Sequence, residues 1–285
     1  MASNLSLLQS LHPDAIHDIR VTSRRTRALF SELKTFFHFP EELISTAKTI
    51  TRLLGKRREL DVIKELALKL FPGDSLFTVH FCNFIDKKRE LEYKNCIKAV
   101  ELVERAIEFS RVVPDLPQVG ECCYVDFLYQ RVLKLLNQLT KVRKKVKKIV
   151  QKEELISEEL HLIRISLKKI RYSFEISSVL ISGIKQFIPK IKEVQETLGE
   201  WNDNRVLLNY FKDFLSFNPS ISDTYIDELN KNLQIIDNKI KEKVNEICTL
   251  VNKNFKKQYL NDLWEDTLKE GKEIKCCIKK GKTYE

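Results

Sequence analysis

The chain is short of the residues that make turns. Seven Gly and seven Pro in 285 positions is about half of ordinary usage. β-Sandwiches need many tight turns, and nucleotide-binding α/β folds need glycine-rich phosphate loops. Neither can be built here, so the expected fold class is all-α. No apolar run approaches the roughly 20 residues that cross a bilayer, so no membrane segment is expected. Residues Met1 to Gln9 carry no cationic stretch ahead of their leucines and make a poor signal peptide. The seven cysteines (Cys82, Cys96, Cys122, Cys123, Cys248, Cys276 and Cys277) are odd in number and contain no CxxC. They read as reduced thiols in a cytoplasmic protein. Zinc spacing, a phosphate loop and a nucleophile elbow are all missing. The reading is therefore a non-enzymatic protein with no cofactor and no metal.

Present instead are enough apolar residues for a large core, 43% with 16 Phe, and a formal charge of +10. The chain also repeats itself at an offset of 144. His17-Asp-Ile-Arg20 falls on His161-Leu-Ile-Arg164. Arg24, Arg25 and Arg27 fall on Lys168, Lys169 and Arg171, Phe30 on Phe174, and Leu54-Gly55 on Leu198-Gly199. The period far exceeds that of solenoid units, so it reads as a duplicated half-domain, with repeats at about 10–152 and 155–282 of one 1–285 domain.

Periodicity and punctuation place the helices. Helix one begins near Pro13-Asp14, its counterpart near Ser157-Glu158-Glu159, where a capping residue and acids favour a helix start. Further elements are expected at 41–54 and 57–71, matching 186–198 and 202–216. Long helices are expected at 76–111 and 221–257, a break at Pro114–Gly120, and last helices at 122–152 and 260–280. Each half is expected to form its own bundle.

The positive charge is concentrated. Residues 17–27 carry +3, 161–171 carry +4 and 131–152 carry +9, against +10 for the whole chain, so the remainder is acidic. At 100° per residue, His17, Arg20, Arg24 and Arg27 share one face, as do His161, Arg164, Lys168 and Arg171. Between Arg131 and Lys152 there are nine basic residues and no acid, with Arg131, Lys134, Lys141, Lys145 and Lys148 on one face. Beside it runs an apolar stripe of Leu128, Val132, Leu135, Leu139, Val142 and Val146. Like charges at i, i+3/i+4 and i+7 repel by a few tenths of a kcal/mol per pair. Their appearance in both copies points to an anionic partner that offsets the repulsion. A flexible uniform polyanion suits such rows, with Arg forking onto phosphoryl oxygens and Lys acting as a point charge.

The paired signature, His-x-x-Arg-x-x-x-[Arg/Lys]-[Arg/Lys]-x-Arg followed by Leu-Gly-x-x-[Arg/Asn]-[Glu/Asp], resembles the CHAD domain, the conserved-histidine α-helical domain. The second copy, from His161 to Tyr172 and then Gln195-Glu-Thr-Leu-Gly199-Glu-Trp-Asn202-Asp203, looks closest. The first departs from the pattern with Glu59 where the family usually shows Asp. The resemblance spans about residues 10–280. It implies two four-helix bundles related by pseudo-two-fold symmetry, with basic helices facing a groove or pore. It further implies binding of inorganic polyphosphate without catalysis, often at polyphosphate granules. By position, the ligand-facing residues it implies are Arg20, Arg24, Arg25, Arg27 and Arg58, and then Arg164, Lys168, Lys169 and Arg171.

His17 and His161 have no HxxxH or second clustered ligand. They read as groups that orient their neighbours or contact phosphate directly. Glu90-Leu-Glu92-Tyr-Lys94 spells ExExK, the metal signature of triphosphate tunnel enzymes, but it falls inside an expected helix, where Glu90 and Lys94 form an ordinary i,i+4 pair. Asp61, Glu59 and Asp203 read as holding arginines in place, and Trp201 and Tyr172 as packing. The rival readings are nucleic-acid binding, which the same charge would serve, and a helical scaffold for an acidic protein. Against the first, the basic stripes lack interleaved aromatics.

Overall fold

The computed structural model describes residues 5–33, 40–73, 75–110, 121–149, 156–179, 181–217 and 226–279. Among these every regular element is helical. The order is α1 (Leu5–Gln9), α2 (Pro13–Leu33), α3 (Glu41–Leu70), α4 (Leu76–Leu91), α5 (Tyr93–Ser110), α6 (Glu121–Ile149) and α7 (Ile156–Ser177). A 3-10 turn (Ser182–Ile184) leads to α8 (Phe187–Phe217), α9 (Ile226–Asn254) and α10 (Lys257–Lys279).

The helix ends obey local chemistry. Glu41 and Glu42 open α3 and Lys69 closes it, each complementing the helix dipole. The Ser75 hydroxyl caps α4 by accepting from the Thr78 amide at 3.2 Å. Leu11, at φ 56°, closes α1 in a Schellman arrangement: the Leu11 amide donates to the Leu8 carbonyl and that of His12 to the Leu7 carbonyl, both at 2.9 Å. A left-handed leucine costs about 1 kcal/mol, and packing of Leu11 against the core around Leu8 offsets it.

Two expected boundaries are absent. The helix runs unbroken through Leu54-Gly55 and through Leu198-Gly199. A lone helical glycine costs only about 1 kcal/mol, and the flanking Leu53, Leu54 and Leu60 are buried and hold α3 together. One unexpected boundary appears at Glu92, which separates α4 from α5. The reason lies in packing. The buried face of α4 (Phe77, Phe81, Ile85) enters one core, and that of α5 (Cys96, Ala99, Val100, Val103) enters another. The break falls where the buried partners change. The expected break at 114–120, and His38, lie outside the described residues.

The described helices group into two compact units, and these do not follow the two sequence halves. Unit 1 comprises residues 1–31, 38–115 and 201–242; unit 2 comprises 32–37, 116–200 and 243–285. In unit 1, α1, α2, α3 and α5 meet around Ile16, Ile19, Ile50, Leu54 and Val103. Further along α3, Leu60, Ile63 and Ala67 join Phe71 and α4 in an aromatic core with Phe211 and Phe214 of α8. Phe77 and Phe211 have ring centroids 5.0 Å apart, and Phe81 meets Phe214 edge-on at 5.6 Å. In unit 2, α6 packs on α7 and α10. The stripe from Leu128 to Val146 is buried, as are Leu160, Ile163, Leu167, Ile170 and Phe174 of α7. Periodicity says that the α6 stripe must be covered; it does not say by which helices, and its partners come from the second half. Asn254 ties the end of α9 to α8 by donating to the Glu193 carboxylate at 2.7 Å and the Lys190 carbonyl at 3.3 Å.

Among the described residues no helix is long and apolar enough to cross a membrane. Cys82, Cys96 and Cys248 are unbridged, and burial pushes the Cys96 thiol up to about 11. The side chains of the other four cysteines lie outside the described residues.

Candidate anion-binding site

The 144-residue repeat reappears as a repeat of burial. Arg20 and Arg164, Arg24 and Lys168, and Arg27 and Arg171 are all half-buried, whereas Arg25 and Lys169 are exposed. Each cationic row rides beside a buried apolar row, which leaves its side chains partly covered.

In unit 1 the cations of α2 meet those of α3. Arg20 Nη1 donates to the Thr51 carbonyl at 3.1 Å. It passes over Gly55, where an added Cβ would lie 3.1 Å from the same nitrogen. The glycine of the Leu-Gly motif therefore makes room for this arginine. Desolvation, then Arg24 and Arg58, lower the Arg20 pKa to about 10, with Glu59 pulling the other way. Arg20 remains charged at neutral pH, but under evident like-charge crowding. His17 reaches solvent, yet its pKa is lowered by desolvation and then by Arg58, Arg24 and Arg20 against an opposing Asp18. Burial and nearby positive charge both disfavour the protonated form.

Three acids of α3 and α4 are committed elsewhere. Asp61 accepts from Arg57 at 3.2 Å and Arg89 at 2.8 Å. Asp86 accepts from Lys64 at 2.6 Å and Arg89 at 2.7 Å. Glu59 accepts from Lys56 and from the Tyr210 hydroxyl, each at 2.9 Å. Among the described residues, Arg24, Arg27 and Arg58 form no ion pair, and the buried Arg24 Nε has no hydrogen-bond acceptor. Arg25 interacts within the fold.

In unit 2 the cations come from α6 and α7. Lys134, Lys141 and Lys145 are exposed and form no ion pair among the described residues, and the same holds for Lys169. Arg164 and Lys168 interact within the fold. Arg171 stacks on the Tyr172 ring at 5.0 Å and lies 3.4 Å from Glu175. Arg131 behaves differently from its neighbours: its guanidinium forks onto the buried Glu32 at 2.6 and 2.7 Å, and Glu32 also accepts from Ser173 at 2.6 Å. Its charge is thus met inside the fold. Trp201 of unit 1, 2% exposed with Arg205 over its ring at 5.4 Å, is packing, as the sequence suggested.

Two polar atoms were not singled out from the sequence, Gln195 Nε2 and Arg143 Nε; like His161 Nδ1 they are buried without a hydrogen-bond partner among the described residues. Gln195 opens the Gln-Glu-Thr-Leu-Gly signature of the second copy, a usable signal; Arg143 was one basic residue in a run of nine. Unsatisfied buried groups of this kind are uncommon and call for a partner; Gln195 Nε2 and Arg143 Nε are N–H donors, and His161 joins them in the tautomer that carries its proton on Nδ1. Groups of three or more His, Cys, Asp or Glu able to hold a metal are absent among the described residues. ExExK falls at the α4–α5 junction, where Glu92 is a helix cap and not part of a strand. A cleft of about 590 Å³ in unit 2 is lined by Asp262, Asp266, Glu270 and Glu273 with Phe187 and Tyr259; none of the expected cations lines it.

Comparison with known proteins places the fold and the family. The crystal structure of the CHAD domain from the plant Ricinus communis shares the fold, with a TM-score of 0.59 over 84% of this chain and 82% of that one, at 16% identity. No curated protein sequence matches. The family model of the CHAD domain matches residues 2–211, most of the chain. This protein belongs to the CHAD-domain family.

Proposed function

We propose that the protein binds inorganic polyphosphate, without converting it, along the basic faces of α2, α3, α6 and α7. The observation that carries this reading is the half-buried row of Arg20, Arg24 and Arg27 on α2, with Arg58 of α3 near enough to act on Arg20, while Glu59, Asp61 and Asp86 are bound to other cations. Such an arrangement is costly unless an anion completes it, and a chain of phosphates supplies one charge after another. Arg20 to Arg27 spans about 10 Å of helix at 1.5 Å per residue, room for a few phosphates. Family membership supports the same reading, because the family is associated with polyphosphate. The proposal includes its finer parts: pseudo-two-fold related basic bundles, a basic groove as the binding surface, no metal or cofactor, and a cytoplasmic protein able to gather at polyphosphate granules.

The test is competition at one fixed salt concentration, with long-chain polyphosphate against duplex DNA, RNA and orthophosphate. Polyphosphate should win by at least tenfold. Equal affinity for DNA would replace this reading with nucleic-acid binding.

A further inference from the structure

Glu59 presents a puzzle within the first cluster. It follows Arg58 directly and lies near enough to Arg20 to act on its ionisation. A carboxylate in that neighbourhood would ordinarily fork onto a guanidinium, the stronger and better-directed pair. Instead one oxygen, Oε1, takes both the Lys56 ammonium and the Tyr210 hydroxyl at 2.9 Å. The Lys56 ammonium also rests 4.9 Å from the centre of the Tyr210 ring. Tyr210 is 5% exposed and anchored in the aromatic core. Burial first, with Glu59 adding to it, pushes its pKa up to about 12, so it stays a donor. At the equivalent place in the second copy stand Glu200 and Asp203, so neither the lysine nor the longer acid recurs.

We propose that Lys56 and Tyr210 clamp Glu59 away from Arg20, Arg24 and Arg58, and so keep these arginines available to phosphate. Lys56, Tyr210 and Glu59 are positioning residues that set the affinity of the cluster. The proposal rests on the phosphate-binding reading. Releasing Glu59 would let it neutralise the arginines from inside, in direct competition with the ligand.

A double-mutant cycle tests this. The probe is long-chain polyphosphate at fixed salt, with thermal melts to confirm folding. Lys56→Met should lower affinity by roughly threefold to tenfold, and Tyr210→Phe by about twofold. In the Glu59→Gln background, both substitutions should lose most of their effect. An equal loss in both backgrounds would mean that Lys56 acts directly on the ligand, and would overturn the clamp. Arginine Nε–Hε NMR signals report the same step without ligand: Lys56→Met should shift those of Arg20 and Arg58, and adding Glu59→Gln should restore them. The shift without any polyphosphate binding by the wild type would sink the functional reading and leave the clamp standing. Binding without the shift would sink the clamp alone.

Discussion

The two copies of the His–Arg helix carry the same cations at the same register and obtain their reinforcement differently. In unit 1 the row on α2 is joined by Arg58 of α3, and Arg20 is fixed across Gly55 to the Thr51 carbonyl. In the second copy, Asn202, itself a residue of unit 1, stands at the position of Arg58; among the described residues nothing lies within 4 Å of a Cβ at Gly199, and the extra charge of unit 2 comes from the exposed lysines of α6. One region is a set of arginines with Arg20 held at a defined point. The other mixes arginine with mobile lysines. The two copies thus share the row of charge on the first helix and differ in what supplements it.

The comparison yields a first, large prediction. Arg164→Ala with Arg171→Ala, and separately Arg24→Ala with Arg58→Ala, should each weaken polyphosphate binding strongly. Each lost charged contact is worth about 1.5–3 kcal/mol. His161→Ala should cost far less. The salt dependence should flatten in both double variants, because fewer counterions are released. Titrations at several salt concentrations give these slopes. A normal double variant beside an inactive His161→Ala would replace the electrostatic mechanism with a histidine-centred one.

A second prediction separates Arg131 from the cations around it. Glu32→Ala strands Arg131 and Ser173. Breaking a fully buried pair costs about 3–5 kcal/mol. The Arg131 side chain is 27% exposed, so about 2–3 kcal/mol is expected. Hydrogen exchange should quicken in α6 and α7 and stay unchanged in α4. Uniform acceleration would argue against a role confined to unit 2.

The glycines sharpen the contrast further. Gly199→Ala should be neutral or raise stability by up to about 1 kcal/mol, through helix propensity alone. Gly55→Ala must displace Arg20 by a few tenths of an ångström, so it should forgo that gain and weaken polyphosphate binding. Melts and titrations of the pair measure the difference. Equal behaviour would mean that Gly55 is not the seat of Arg20.

The smallest effect concerns His17. Its lowered folded pKa means that the unfolded chain takes up its proton first as pH falls through about 6.5. The stability contributed by the neutral histidine is therefore lost below that pH, and His17→Gln should reduce the decline between pH 7 and 5. Bound polyphosphate should raise the His17 pKa, as NMR titration would record. A midpoint unchanged by polyphosphate would place the ligand elsewhere.

Much of this was legible in the sequence. The stripes of α6 and α7 fall in the core residue by residue, because a 3.6-residue period fixes which side chains share a face. The cationic rows follow from the same geometry. What was hidden depends on distant partners. Glu32 meets Arg131 across 99 positions, and Glu59 meets Tyr210 across 151. The recruitment of α6 by helices of the second half was hidden for the same reason. The first Leu-Gly motif misled about a helix boundary because Gly55 serves a close approach by Arg20, not a turn; at Gly199 the helix simply tolerates the glycine.

The central claim is that the two cationic rows are the phosphate site, and crystals soaked in sodium tripolyphosphate test it most directly. Density for phosphate is predicted beside Arg20, Arg24 and Arg58, and beside Arg164, Lys168 and Arg171. Phosphate found only at Lys279, Lys280 or Lys282, with both rows empty, would contradict the account.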